Sequence, residues 1–557
     1  MFKNFIFLFL IISHLFFQTF TFSNPQRMAT DLEIIKNEFE IYYAPAEWKK
    51  KLFNWSLEAA IEHAKQEIRE KPINLQQYQQ ILRDLFNSTQ DLHVGVSFYS
   101  TEFAILPFLV QGVDQRYFVV WIDEEWKKMQ GVPLEKGDEI LAFDGRSAAE
   151  IIREIHRASY GFCDAESYHR LSEMLLTLRE GNCINNVPQG TTEVLYKKPH
   201  QENPETCLVE WYYVPEEIEN EFPGIKNPFR STLAESPIFH RCRALPLFTR
   251  LKSYAKNYET QLLGGKKSLF PPLGEILWKS NSPEFEAYIY SLKGCKSVGY
   301  IRISDFMGGR HEVDQFRHLI AMMEASTHAL IIDVMNNPGG FAFYTYALLS
   351  MLSDKPLMNL REKMAITQEE IFLCLEDMQL LEEVTTDHEA KGLIGEDICG
   401  FNVDKQFVNC VLKHARFIKD QFKKGKYLTD LYPLEGLEYI YPNPKTHYTK
   451  PLLVLVNSLS ISCADLFPAI LQENKRAKIL GTRSAGAGGY VLAKKYSNRF
   501  GVADFTLTGS IISRANGDPL ENLGVSPDFP YTFSAEDYTQ NFSGFVEYLN
   551  RIMYYYK

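Results

Sequence analysis

Two runs of apolar residues constrain this chain more than any other feature: Leu330 to Met335, broken only by Asp333, and Leu452 to Val456. A strand with one wet face alternates polar and apolar residues, whereas a strand apolar at successive positions is covered on both faces. Helical spacing surrounds these runs. Phe316, Leu319, Ile320 and Met323 share one face of a helix expected from Val313 to Glu324, and Val298 to Ile303 reads as a further strand. Buried strands alternating with helices predict a mostly parallel sheet between helical layers. Residues 291–557 are therefore expected to form an α/β domain.

Both runs end in segments that can carry chemistry. Asn336-Asn337-Pro338-Gly339-Gly340 follows the first, and its glycines allow backbone N–H groups to come close to a substrate; a plain tight turn is the alternative. Ser462 follows the second, ahead of an apolar stretch, Ala464 to Leu471, with helical spacing. A serine at a strand-to-helix turn sits at the positive end of the helix, beside free N–H groups suited to an oxyanion. Ser458 and Ser460 compete with it, and a simple helix cap is the bland alternative. Gly481 to Gly489 is glycine-rich but lacks the Lys-Ser/Thr pair of a phosphate loop, which excludes a nucleotide site of that kind.

The upstream half differs. Residues 24–103 read as helical, with apolar periodicity at Trp55–Ile68 and Tyr78–Phe86, followed by a strand-like alternation through Leu92, Val94, Val96 and Phe98 that includes His93. In 104–220, strands are expected at Ile105–Val110, Tyr117–Ile122, Thr192–Tyr196 and Cys207–Tyr213, with a helix at Glu166–Leu178. Gly137-Asp138-Glu139-Ile140-Leu141-Ala142-Phe143-Asp144-Gly145 resembles the signature of PDZ domains, which bind peptides by adding a strand to a sheet edge; an ordinary hairpin is the alternative. Residues 221–290 show no period and read as a linker or insertion.

Composition narrows the function. A net charge of -11 argues against nucleic acid as the main partner, because phosphate binding needs a basic face. Lys419 to Lys426 reads as a solvated helix face. The nine cysteines form no C-x-x-C pair and there is no H-E-x-x-H, so neither a metal site nor a cofactor is expected. Residues 1–23, with Lys3, an apolar run from Phe5 to Phe17, and Thr21 and Ser23 before Asn24, read as a secretory signal. No later segment is long and apolar enough for a bilayer, so an exported protein without stable membrane insertion is expected.

Taken together these segments resemble the tail-specific, or C-terminal-processing, serine protease family. Gly299 to Ile303 matches its Gly-Tyr-Ile-Arg-Ile strand, and Asp333 to Gly340 its glycine turn. Ser462-Cys463-Ala464-Asp465 matches its nucleophile segment, and Glu521 to Asp528 a later acidic stretch. The resemblance implies a crotonase/ClpP-like core behind an N-terminal helical segment and a PDZ-like domain. Most members use a lysine base in T-x-G-K-G; here Ser484-Ala485-Gly486-Ala487-Gly488 puts Ala487 in that place, and a methyl group accepts no proton. The resemblance to a lysine-free subgroup implies a Ser462–His93–Glu521 triad, with Asp528 competing for the acid's role. It further implies oxyanion donors from Cys463 and from Gly339 or Gly340. It also implies a homodimer acting on protein or peptide substrates, delivered outside the producing cell, and a zymogen whose central segment, within 221–290, is cut by the enzyme itself. Catalytically silent ligand-binding proteins, peptide-binding scaffolds and acyl-CoA hydratases are the competing readings, and none of them needs Ser, His and Glu together.

Overall fold

The computed structural model describes residues 24–183, 186–216, 263–292 and 296–555. The expected signal, residues 1–23, and most of the expected insertion, residues 221–262, lie outside the described residues.

Four helices come first: α1 (Pro25–Tyr42), α2 (Ala46–Phe53), α3 (Leu57–Glu70) and α4 (Leu75–Asn87). Caps fix three of their starts. Asn24, Ser56 and Asn74 each accept an N–H from three residues on, and Pro25 fills the first position of α1. The apolar faces of α1, α3 and α4 bury Met28, Leu32, Ile35, Ile61, Tyr78, Leu82 and Phe86 together with Val502, Phe505 and Leu507 from the far end of the chain. Strand β1 (Gly95–Phe98) completes this join by pairing antiparallel with Val502–Thr508, Gly95 opposite Thr506. His93 stands in the turn before β1, not in the strand its alternation predicts. Asp91 closes that turn by accepting the His93 N–H at 2.9 Å, so the ladder begins only at Gly95.

The next unit is an antiparallel sheet of β2 (Phe108–Val113), β3 (Arg116–Ile122), β4 (Glu139–Phe143), β5 (Thr191–Lys197) and β6 (Glu205–Glu210), joined in that order. It carries α5 (Ala148–Tyr160) and α6 (Glu166–Met174). The predicted helix to Leu178 stops at Met174, because Leu178–Glu180 pairs as a strand with Phe103–Ile105. The unit is bonded to the rest of the molecule. Phe118 stacks on Tyr538 at 5.4 Å, and Ser167 Oγ donates to the Ser458 carbonyl at 2.6 Å.

The C-terminal sheet has seven strands in the order β7 (Glu275–Lys279), β8 (Ala287–Leu292), β9 (Lys296–Arg302), β10 (Ala329–Asp333), β11 (Leu452–Val456), β12 (Lys478–Gly481) and β13 (Phe529–Pro530). The pairs from β9 to β13 are parallel, as the continuous apolar runs predict. Helices α7 (Arg310–Ser326) and α8 (Cys463–Glu473) make crossovers. The stretch 221–290 read as irregular contains β7 and the start of β8, which add an antiparallel edge to this sheet. Their aromatic residues explain the join. Tyr288 stacks on Tyr300 at 4.7 Å, and Tyr290 donates to Asn550 Oδ1 at 3.0 Å.

Candidate active site

Ser462 is the residue before the first turn of α8, and its backbone is strained. At φ 59°, ψ -120° it lies where non-glycine residues are seldom found, and such strain persists only where the surroundings enforce it. Two contacts enforce it: Asp465 Oδ2 accepts the Ser462 N–H at 3.1 Å, and Asn337 accepts the neighbouring Ile461 N–H at 2.9 Å. The competing serines are buried. Ser460 gives its hydroxyl to the Val334 carbonyl at 2.8 Å, while Ser462 keeps partial exposure.

Asn337 ties the glycine turn to this serine turn. Its amide also donates to the Ile303 carbonyl at 3.0 Å, and its Oδ1 accepts the Gly339 N–H at 2.8 Å. Gly339 has φ +91°, and a Cβ placed on it would fall 2.5 Å from the Cβ of Ser462; one on Gly340 would fall 2.3 Å from the Phe306 carbonyl. Glycine is obligatory at both places. The Gly339 N–H is spent on Asn337 and is not free for a substrate. The Cys463 N–H, in the first turn of α8, has no carbonyl within its own helix to bond.

Asp465, one turn into α8, organises the loop where the family keeps its lysine. Its carboxylate, fully buried, accepts from Ser484 Oγ, from the Gly486 N–H at 2.9 Å and from the Ala487 N–H at 3.0 Å. Burial raises its pKa to about 6, against the pull of these bonds. The same loop holds the acidic segment: Asn522 N–H donates to the Gly486 carbonyl at 2.7 Å, and Val525 N–H to Ser484 Oγ at 2.8 Å. A Cβ on Gly486 would strike Gly524 N at 2.7 Å. Asp528, the competing carboxylate, is committed elsewhere, to Lys478 at 2.7 Å and to the Ile479 N–H at 2.9 Å.

His93 and Glu521 lie within a buried charged cluster with Asp91 and Lys49. Asp91 accepts from Tyr43 and Thr508 at 3.1 and 2.9 Å, and Lys49 reaches Glu521 Oε1 at 2.5 Å. Burial lowers the His93 pKa below its usual value, Asp91 opposing. Burial, reinforced by Asp91, raises Glu521 to about 8. The two are not hydrogen-bonded to each other. Glu521 Oε2 and both imidazole nitrogens are buried with no hydrogen-bond partner; the Gly489 backbone approaches the ring without reaching hydrogen-bond geometry. The structure thus brings Gly339 and Cys463 directly to Ser462 and sets His93 and Glu521 about the same Asp91 and Lys49, with no hydrogen bond from His93 to Glu521 or to Ser462. Sequence reading assigned no role to Lys49, Asp91, Asn337 or Asp465. Asp465 and Asn337 stood inside the matched motifs, whereas nothing in the local pattern of α2 marks Lys49.

Comparison with known proteins identifies the family. The family model for peptidase family S41 matches residues 297–531, and that for the PDZ domain matches 102–218. An uncharacterized protein of Chlamydia muridarum (strain MoPn / Nigg) is 33% identical over 566 residues, covering 95% of this chain and 92% of its own. The chain belongs to peptidase family S41. A second relative of this S41 protease, from Chlamydia trachomatis serovar D, is 33% identical over 94% of this chain and 91% of its own. Among solved structures, mature CPAF complexed with lactacystin is similar at TM-score 0.79 and 30% identity, covering 95% of this chain and 98% of its own. A CPAF mutant is similar at TM-score 0.83 and 28% identity, covering 96% and 98%. The S41 chain is accordingly a serine endopeptidase of the tail-specific family, with a PDZ domain ahead of its catalytic core.

Proposed function

We propose that this protease cleaves protein substrates through a Ser462–His93–Glu521 triad and an acyl-enzyme intermediate. The observation that carries the reading is Ser462 itself: a strained, partly exposed serine opening a buried helix, pressed against Gly339, in a chain with Ala487 where a lysine base would stand. A serine needs a base, and His93 is a buried imidazole with both nitrogens uncommitted. Its lowered pKa keeps it neutral, and so able to accept a proton, at neutral pH. Ser462 Oγ attacks the scissile carbonyl as His93 takes its proton. The oxyanion is held by the Cys463 and Gly340 N–H groups. His93 then protonates the leaving amine, and water releases the acyl group by the same route reversed. Glu521 stabilises the imidazolium, which requires Oε2 to reach the ring in the substrate complex; catalytic hydrogen bonds often tighten only there.

Substrate-bound chemistry is tested by labelling the full chain with a fluorophosphonate, or with lactacystin, the compound in complex with mature CPAF. Labelling should vanish in Ser462→Ala and slow by at least about a hundredfold in His93→Gln. Full labelling of His93→Gln would refute the histidine base. Among the described residues no helix is long and apolar enough to cross a membrane. Export is proposed on the leader read in residues 1–23 alone. By the family resemblance we extend the proposal to a homodimer made as a zymogen and cut within 221–290 by its own active site. Fragments persisting in Ser462→Ala would refute self-cleavage.

A further inference from the structure

Helix α2 carries a lysine that no solvent reaches. Lys49 is fully buried, and an ammonium group has three protons to donate. All three are used: on the Gln90 carbonyl at 3.0 Å, on Asn522 Oδ1 at 2.7 Å and on Glu521 Oε1 at 2.5 Å. The neighbouring residue on α2, Trp48, donates its indole N–H to the Glu521 carbonyl at 3.0 Å. Glu521 is therefore held twice by one helix, through its backbone and through one carboxylate oxygen. The cluster's other charge, Asp91, lies 3.9 Å from the ammonium, beyond hydrogen-bond reach, and is satisfied by Tyr43, Thr508 and the His93 N–H. What remains is Glu521 Oε2, buried and without a donor, in the same cluster as an imidazole whose two nitrogens are also unpartnered.

We propose that Lys49 is a positioning residue for peptide hydrolysis: it grips Glu521 by one oxygen, favours the ionised form of the carboxyl, and leaves the second oxygen for the His93 imidazolium that forms during catalysis. The proposal rests on the triad reading above. A buried carboxylate without such a partner takes up a proton instead. Glu521 is already raised to about 8, with burial and Asp91 pushing it up and Lys49 opposing them, so loss of the lysine drives it further toward the neutral form. A neutral carboxylic acid stabilises an imidazolium poorly. Lys49 acts through Glu521 and touches no substrate.

The test uses the full chain as Lys49→Met, Lys49→Arg, Glu521→Gln and the double variant Lys49→Met/Glu521→Gln, the last removing both members of the Lys49–Glu521 pair. Hydrolysis of an unfolded protein substrate and fluorophosphonate labelling are followed across pH. Lys49→Met should lower kcat by about 10- to 100-fold with KM within about twofold. Its acid limb should move to higher pH, Lys49→Arg should recover much of the loss, and the double variant should be no slower than Glu521→Gln alone. The proposal is overturned if Lys49→Met keeps the parent kcat and pH profile, if it is faster than the parent (a restraint on Glu521, not a support), or if its loss multiplies that of Glu521→Gln. Should Lys49→Met not fold, Lys49→Gln, which removes the charge but keeps a donor, decides: an unmoved acid limb overturns the proposal, and a shifted one sustains it. Glu521→Gln at parental kcat, with Ser462→Ala inactive, would instead sink the triad reading. A crippled Glu521→Gln beside an unaffected Lys49→Met would sink the lysine's role alone.

Discussion

Gly339 touches Ser462 so closely that a methyl group on the glycine would sit 2.5 Å from the serine's Cβ and 2.9 Å from the Cys463 nitrogen. Real Cβ atoms do not approach that far, and φ +91° adds strain for any other residue. Gly339→Ala should therefore displace the nucleophile turn. Fluorophosphonate labelling should slow by about a hundredfold or more, since displacements of an ångström at a reacting centre cost that much. The melting temperature should fall by only several degrees. An active Gly339→Ala enzyme would show that the turn yields more easily than its contacts indicate.

Asp465 offers two oxygens to four donors: the N–H groups of Ser462, Gly486 and Ala487 and the hydroxyl of Ser484. Asp465→Asn turns one of those oxygens into an NH2 group facing donors. The near-identical shape should still cost about 2–4 kcal/mol of stability, because buried groups lose partners on both sides. Chemical denaturation of Ser462→Ala with and without Asp465→Asn reads this without self-cleavage; a difference below about 1 kcal/mol would contradict it.

Glu521 should give the protein an inverted pH dependence. Its folded pKa, about 8, lies above the ordinary 4.5, so between those values the folded state holds the proton more tightly than the unfolded chain does. The stability linked to it is complete below pH 4.5 and is lost as pH rises through about 8. His93, held below 6.5 by burial, has the other sign: its contribution is present above pH 6.5 and fades as pH falls. Melting temperatures from pH 5 to 9 should therefore decline on the alkaline side in the parent and less in Glu521→Gln. Equal alkaline slopes would remove the assignment.

Arg302 and Asp333 form a buried pair at 3.1 Å beneath the glycine turn, with Tyr300 on the same carboxylate oxygen at 2.6 Å. Arg302 also donates to the Met335 carbonyl at 3.0 Å and to Gly265 at 2.8 Å. Arg302→Met strands a buried carboxylate and should cost about 3–5 kcal/mol. Arg302→Met/Asp333→Asn should recover part of it, which thermal melts of the two variants compare directly.

The parts of the fold read most readily from sequence are those fixed by local periodicity. The runs 330–335 and 452–456 became β10 and β11, and Ser462 stands where strand gives way to helix. Helices α3 and α4 arose where apolar spacing predicted them, behind the caps Ser56 and Asn74. What escaped depended on distant partners. β8 looks irregular because its tyrosines find their places only against Tyr300 and Asn550. His93 left the predicted strand because Asp91 caps a turn there. Ser462, His93 and Glu521 came from motif resemblance; Lys49, on a short helix among other lysines, gave no local sign that it would be the one drawn inside.

The interlock of Trp48, Lys49 and Gln90 with Glu521 and Asn522 joins the front of the chain to its last hundred residues. A ribosome releases the first group long before the second. Until the acidic loop has emerged and docked, a nascent copy holds its nucleophile but lacks the carboxylate of the proposed relay. Closing this interlock is thus one of the last events in the chain's folding.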